Sequence, residues 1–273
     1  MKKRISLFLS ALLALSVLTV GMTSCDEDKD RDDDDDDQLE EVFQDKTPEE
    51  AYNDALKAIE SVDNYEMTSV QDIKMVLKYN GEVINQDQKQ TITQQKNGED
   101  VYVNVFGSSI KQETWYVDGV LYTISGDVKA KATLSLKEFQ EQMMGTSSNN
   151  LLNIPEEWFE DVEFETEDGK TVLKFKIDGN EFLEMVDNAL GAIGAAAEDM
   201  DISVVDYIVY FDDDGDITKI VQDFSLSFSL QGMKAEADYH TVTTVSLGTA
   251  DKITAPKDGD SFIDVTDQMG SLG

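Results

Sequence analysis

The segment Ile217–Leu230 of this 273-residue chain reads ITKIVQDFSLSFSL. From Phe224 onward, a large apolar residue occupies every second position, and a serine stands between each pair. Successive side chains of a β-strand point to opposite faces of the sheet, so this period of two predicts a long strand. Its apolar face would be covered, and its serine face would be wet, as is common in antiparallel sheets.

The same logic extends to both sides of this segment, because most neighbouring strand-like runs are separated by Asn-Gly, Asp-Gly or other tight-turn signals. Nine further strands are predicted, at residues 73–79, 83–95, 101–106, 114–117, 120–124, 162–166, 171–177, 204–211 and 234–247. The 83–95 run is mostly polar, which indicates either an edge strand or a strand wetted on both faces. No regular strand–helix–strand alternation appears, which argues against a parallel sheet.

Helical patterns interrupt these strands at a few places. Thr47, Pro48 and Glu50 form a strong helix start with an N-cap, a proline at the first position and a capping glutamate, and an apolar stripe follows. Further helices are predicted at 136–144, 155–159 and 180–200. The pattern therefore predicts an α+β fold that is mainly antiparallel β. It would be one strongly curved sheet of about ten strands, with helices on the concave side.

The N-terminus has the features of a secretory signal peptide. Residues 1–4 are MKKR, residues 5–20 are apolar apart from Ser and Thr, and residues 22–25 are MTSC. The apolar run is shorter than the roughly 20 residues that a membrane span needs. The MTSC motif resembles a bacterial lipobox, with Met22 in place of the commoner leucine. This resemblance implies cleavage after residue 24 and acylation of Cys25, with a palmitate-type anchor at the mature N-terminus.

Residues 25–46 are expected to form a lipidated, disordered acidic linker. Ten of the residues from 26 to 37 are acidic, and charge at this density keeps a chain extended. The segment would tether the domain to the membrane, and it also resembles the surface-export signal of Bacteroidetes lipoproteins. Removing residues 1–24 takes away three cations and changes the formal charge from −35 to −38. So acidic a surface argues against nucleic acid as a partner.

Residues 47–273 are then the folded domain, and their order of elements resembles the LolA/LppX-like bacterial lipoproteins. The local matches are the WYVDGVLY hairpin at 115–122, the turn at 210–215 and the closing ITAP at 253–256. The resemblance implies that the curved sheet is a half-barrel, an incomplete barrel capped by helices, with an apolar cavity that carries lipids or acyl chains in some members. Ligand residues of that family do not form a motif, so none is carried over by position.

Histidine and cysteine, which serve as zinc ligands and in nucleophilic catalysis, are scarce. His240 is the single histidine and is predicted to be an ordinary strand residue, and Cys25 is the single cysteine. One cysteine excludes an internal disulfide, and one histidine argues against a zinc site. The Asp-rich segment 212–216 lacks the later ligands of a calcium loop and is predicted to be a turn. We therefore expect no enzyme activity, no cofactor and no metal.

The charge-free stretch 189–197 of the last predicted helix allows two interpretations. It either packs closely on the sheet or forms a movable lid over an apolar groove. On the second interpretation Ile193, Leu226 and Phe228 are the candidate ligand-binding residues, between helix and sheet. The expected function is that of an extracytoplasmic lipoprotein binding an apolar ligand, anchored to the outer face of the cytoplasmic membrane, to an outer membrane or at the cell surface. The alternative is an interaction or structural lipoprotein with a filled core.

Overall fold

Antiparallel pairing of long strands organises the chain. The computed structural model describes residues 43, 46–108, 110–139, 154–183, 198–230 and 233–266. Helix α1 is Pro48–Ser61, and residues 136–139 and 179–183 are also helical. The described strands are β1 (Asn64–Tyr79), β2 (Glu82–Asn97), β3 (Asp100–Gly107), β4 (Lys111–Val117), β5 (Val120–Ser125), β6 (Val128–Thr133), β7 (Glu160–Glu167), β8 (Lys170–Ile177), β9 (Glu198–Ile202), β10 (Val205–Phe211), β11 (Ile217–Leu230), β12 (Met233–Leu247) and β13 (Ile263–Asp264). Two 3₁₀ turns lie at Glu156–Trp158 and Gly259–Ser261.

These strands form one open, curved sheet in the order β13-β6-β5-β4-β3-β2-β1-β12-β11-β10-β8-β7, with β9 beside β11. Among the described pairs, β13 with β6 is parallel and the others are antiparallel. The predicted α+β fold with an incomplete barrel is therefore confirmed. The ten predicted strands become thirteen through β6, β9 and β13. The first two are rich in Lys, Ala, Asp and Glu, which are weak strand formers, so pairing with neighbours decides their conformation.

Helix α1 begins as its sequence predicts. The Glu50 amide donates to Thr47 Oγ1 at 3.2 Å, and the Thr47 amide donates to Glu50 Oε2 at 2.9 Å. The capping box is complete, and Pro48 occupies the first turn. The predicted apolar stripe is buried against one face of the sheet, where Tyr52 contacts Phe175 with ring centroids 5.2 Å apart. We call this side of the sheet the helix face.

Hairpin turns set the register. Asn80 and Gly81 both have positive φ, as the two-residue turn between β1 and β2 requires. The same combination recurs at Asp118-Gly119 and Asp168-Gly169. A one-residue slip would move every side chain of a strand to the opposite face. These predicted turns therefore fix which residues reach the helix face.

The prediction for the polar return strand is wrong in part. Strand β2 is not an edge strand, because β1 and β3 flank it. Its outer half, near Val83, is exposed on both faces, but its inner half buries Gln90, Gln94 and Lys96. Amide side chains tolerate burial when they find partners. Gln90 Nε2 donates to Gln71 Oε1 at 2.6 Å, and Gln94 Nε2 donates to the Tyr65 hydroxyl at 2.8 Å.

The predicted helix at 180–200 needs a correction at its end. Residues 179–183 are helical, but Glu198–Ile202 is strand β9 and pairs with β11. Strand β10 pairs with only the first half of β11. The backbone groups of the second half still need hydrogen-bond partners, and β9 supplies them. Residues 184–197, including Ile193, lie outside the described residues. The predicted helix at 155–159 contains the 3₁₀ turn Glu156–Trp158, and of the one at 136–144, residues 136–139 are helical.

Candidate ligand-binding face

Two neighbouring rows of the helix face each have an alanine between larger apolar residues. Strand register places Leu226, Ala237 and Met75 in one row across β11, β12 and β1, and Phe228, Ala235 and Leu77 in the next. In each row the alanine is the smallest side chain and is paired with longer ones on both neighbouring strands. We call these six residues the alanine trough.

The candidate residues Leu226 and Phe228 therefore lie on the same face and in adjacent rows. Their side chains are closed to solvent, with exposed fractions of 2% and 6%. They belong to a large buried cluster that also contains residues of α1, β8 and β10. The third candidate, Ile193, and the lipidation site, Cys25, lie outside the described residues.

A row of uncharged polar side chains crosses the same face, and a single row of residues separates it from the trough. Gln222, Thr241, Gln71 and Gln90 are successive cross-strand neighbours on β11, β12, β1 and β2. The following row contributes two hydroxyl groups, which lie 3.0 Å apart. These belong to Ser69 and Thr243. All six side chains are less than 9% exposed, and we call this set the polar belt.

The polar belt was not predicted from the sequence. Its glutamines and threonines look like solvent-facing residues, and only register shows that they share the helix face. The belt ends at Gln222, which hydrogen-bonds the buried hydroxyl of Tyr207 on β10. Burial raises the pKa of Tyr207, and the bond from Gln222 partly offsets this rise. No local sequence signal could have located the belt, because it depends on the pairing of β1 with the distant β12.

Tyr239 lies between the trough and the belt. On β12 it stands two residues after Ala237 and two before Thr241, so it shares their face. Its ring stacks on Phe224, with centroids 4.7 Å apart and planes 5° apart. Phe182, from the helical residues 179–183, covers Phe224 at 5.4 Å. The side chain is 4% exposed, its hydroxyl has no hydrogen-bond partner among the described residues, and burial raises its pKa.

Lys96 is a buried cation at the lower end of the same face. Its Nζ donates to the Val62 carbonyl oxygen at 3.2 Å. Val62 is the C-cap of α1, and the last turn of that helix carries no basic residue. The amino group therefore supplies, from β2, the positive charge that favours a helix C-terminus. Its role is structural.

The opposite face of the sheet carries the charged residues. His240 Nδ1 lies 2.7 Å from Asp223 Oδ1, and Lys89 Nζ lies 3.2 Å from Asp72 Oδ2. The side chains of both pairs are about half-exposed, so each pair stabilises the fold by no more than about 1 kcal/mol. His240 occupies an ordinary strand position in β12, as predicted.

The Asp-rich segment 212–216 is a turn, as predicted. Asp212 Oδ1 accepts hydrogen bonds from the amides of Asp214 at 3.1 Å and Asp216 at 2.9 Å, which is an Asx turn. In the described ranges, no group of three or more His, Cys, Asp or Glu residues is placed to hold a metal ion. The helices within those ranges are too short or too polar to cross a membrane.

Comparisons with known proteins give remote likenesses. No protein-family model and no curated sequence matches the chain. A DUF1329 family protein from Desulfovibrio piger is 10% identical, with a TM-score of 0.23 over 74% of this chain and 93% of its own. An outer membrane lipoprotein-sorting protein domain from Vibrio parahaemolyticus is also 10% identical, with a TM-score of 0.21 over 68% and 87%. Lipovitellin is 7% identical, with a TM-score of 0.31, and the match covers 71% of this chain but 26% of lipovitellin. At such scores these likenesses carry no argument about function.

Proposed function

We propose that this protein is a non-catalytic bacterial lipoprotein that binds an apolar ligand on the helix face. It would be extracytoplasmic and anchored through acylated Cys25. The signal-like residues 1–24, the lipobox-like MTSC and the acidic linker support the anchor. The alanine trough supports the ligand site, because an acyl chain would gain about 25 cal/mol for each Å² of apolar surface it buries there.

The observation that carries the proposal is the juxtaposition of the trough with the polar belt. A core that serves stability alone has little use for a buried row of amides and hydroxyls, since each needs a partner and adds little net stability. A surface for an amphiphile needs both elements, apolar for the chain and polar for its end. Here they lie on one face, separated by the single row that contains Tyr239.

A second candidate function is favoured by the closure of this face. The trough residues are buried, and stacked rings such as Phe224 on Tyr239 resemble an ordinary core. In that case the protein would be a structural or interaction lipoprotein that acts through its acidic surface. The two candidate functions differ in whether the trough binds and releases a ligand.

The test uses the mature chain, residues 25–273, with Cys25→Ser so that it carries no acyl group. Native mass spectrometry after detergent-free purification, with lipid extraction of the same sample, should show a bound lipid at near-unit stoichiometry. Ala237→Leu should abolish the bound mass, because the larger side chain occupies the trough. The matched control is Ala132→Leu in the separate buried cluster of β3–β6, which should keep the lipid.

The opposite results would decide for the second candidate. A clean apo mass for the parent chain, unchanged after incubation with lipid vesicles, would exclude a carrier. Lipid binding that is equal in Ala237→Leu and the parent chain would place the ligand elsewhere. Thermal unfolding of each variant checks that the fold survives, since overpacking typically costs about 1–3 kcal/mol.

A further inference from the structure

The hydroxyl of Tyr239 is an unusual feature of a buried face. Two buried tyrosines on this side of the sheet can be compared, Tyr207 on β10 and Tyr239 on β12. Tyr207 bonds Gln222, whereas the Tyr239 hydroxyl has no partner in the described part of the chain. A buried hydroxyl without a partner costs about 1–3 kcal/mol, and a phenylalanine would avoid that cost. Such a group is expected where a partner arrives from outside the chain.

We propose that the Tyr239 hydroxyl binds the uncharged polar end group of an amphiphile whose apolar chain lies in the alanine trough. This inference rests on the proposed function and specifies the class of ligand. Tyr239 stands between the trough and the belt, so a ligand that follows β12 would meet the hydroxyl where its chain ends. The phenol can donate one hydrogen bond and accept another.

The chemistry of the surroundings selects a neutral end group. Thr241 and Gln71, one row further along, offer hydroxyl and amide groups but no charge. The buried polar side chains of the described residues include one ion, Lys96. Lys96 pairs with Tyr65 on β1, whereas Tyr239 pairs with Ile73 on the same strand. Tyr65 and Ile73 are eight residues apart in the strand, which is roughly 26 Å at about 3.3 Å per residue. A carboxylate or phosphate would therefore be buried without a counter-ion, which is costly.

The matching ligands are long-chain alcohols, monoacylglycerols, amides and esters. These groups exchange hydrogen bonds with a phenol, an amide or a threonine without carrying charge into the interior. Because Tyr239 and the trough residues are buried, a ligand can enter only when the packing around them opens. We therefore expect slow exchange of the ligand rather than rapid equilibrium.

The experiment compares two isosteric variants in the mature chain with Cys25→Ser. Tyr239→Phe removes the unpartnered hydroxyl, and Tyr207→Phe is the matched control because its hydroxyl already has a partner. The uncharged hydrocarbon fluorophore diphenylhexatriene reports occupancy of the trough. Competition by 1-monooleoylglycerol and by oleate at pH 9 then measures the preference for the end group.

The expected result has three parts. Monooleoylglycerol should displace the fluorophore at least about tenfold better than oleate does, because the carboxylate must lose its hydration. Tyr239→Phe should lower the affinity for monooleoylglycerol by about three- to tenfold, the equivalent of one hydrogen bond. The same variant should leave the affinity for the fluorophore unchanged. Tyr207→Phe should lower the thermal stability without changing the preference between the two competitors.

The failures are distinguishable. If the fluorophore binds but Tyr239→Phe binds monooleoylglycerol as well as the parent chain does, the end-group site is overturned and the apolar site stands. If Tyr239→Phe fails to fold, its hydroxyl has a structural partner, which also overturns the inference. If neither the fluorophore nor monooleoylglycerol binds the parent chain, the proposed function itself is overturned.

Discussion

Ser69 and Thr243 test what the polar belt does for stability. Their hydroxyl oxygens lie 3.0 Å apart in the interior, on β1 and β12, and both side chains are buried. Ser69→Ala or Thr243→Val alone leaves one buried hydroxyl without its partner, so each should lower the free energy of unfolding by about 1–2 kcal/mol. The double variant removes both hydroxyls and should therefore be less destabilised than the sum of the two single variants.

A double-mutant cycle in urea measures this coupling. We expect an interaction free energy of about 1 kcal/mol and an unchanged denaturant slope. If the double variant is as destabilised as the sum of the single variants, the two hydroxyls act independently. The belt would then stabilise the fold through other contacts, and the functional interpretation of the belt would lose its basis.

At the scale of the element, Gly179 shows how a helix start and a strand are fitted together. A Cβ atom added at Gly179 would lie 1.8 Å from the Ile202 carbonyl oxygen and 2.7 Å from the Ser203 carbonyl oxygen. Real Cβ atoms do not approach a backbone so closely. Glycine at this position therefore allows the helical residues 179–183 to lie directly on the end of β9.

We expect Gly179→Ala to lower the free energy of unfolding by more than about 2 kcal/mol, because backbone rather than a flexible side chain must move. Gly259→Ala is the matched control, since its nearest neighbour is the Tyr122 ring at 3.1 Å, which can shift. Thermal unfolding of the two variants gives the comparison. Equal midpoints would mean that the contact between Gly179 and β9 adjusts at little cost.

The same elements show the limits of prediction from sequence. The Phe-Ser alternation in β11 and the paired turn residues Asn80-Gly81 are local signals, so the antiparallel sheet could be predicted. The switch from helix to strand before Ile202 is not local, because it depends on the unpaired edge of β11. Likewise, Gln90 looks solvent-facing until its partner Gln71 is known.

For the molecule as a whole, the apolar face could be anticipated but not its organisation. Leu226 and Phe228 were identified as candidates from their own alternation, and the fold places both on the helix face. Tyr239 and the belt depend on which strands become neighbours, and β1 pairs with β12, about 170 residues away in the chain. The period of two in the sequence predicts which face of the sheet a residue lies on. Which residues form a row across several strands depends on the order and register of those strands, that is, on the topology.

Net charge bears on how such a molecule reaches a membrane. Residues 25–273 carry a formal charge of −38, so an anionic bilayer surface repels them. Electrostatic adsorption would then fail, and attachment would depend on acyl chains at Cys25, each buried CH₂ contributing about 0.8 kcal/mol.

We expect the protein, expressed with its own residues 1–24 in a bacterium, to incorporate labelled palmitate and to stay with membranes in 1 M salt. The Cys25→Ala variant should incorporate no labelled palmitate. The control variant Ser24→Ala keeps Cys25 and a small residue before it, so it should be labelled like the parent protein. Label in Cys25→Ala, or release of the parent protein by salt alone, would show that the anchor is not an acyl group on Cys25.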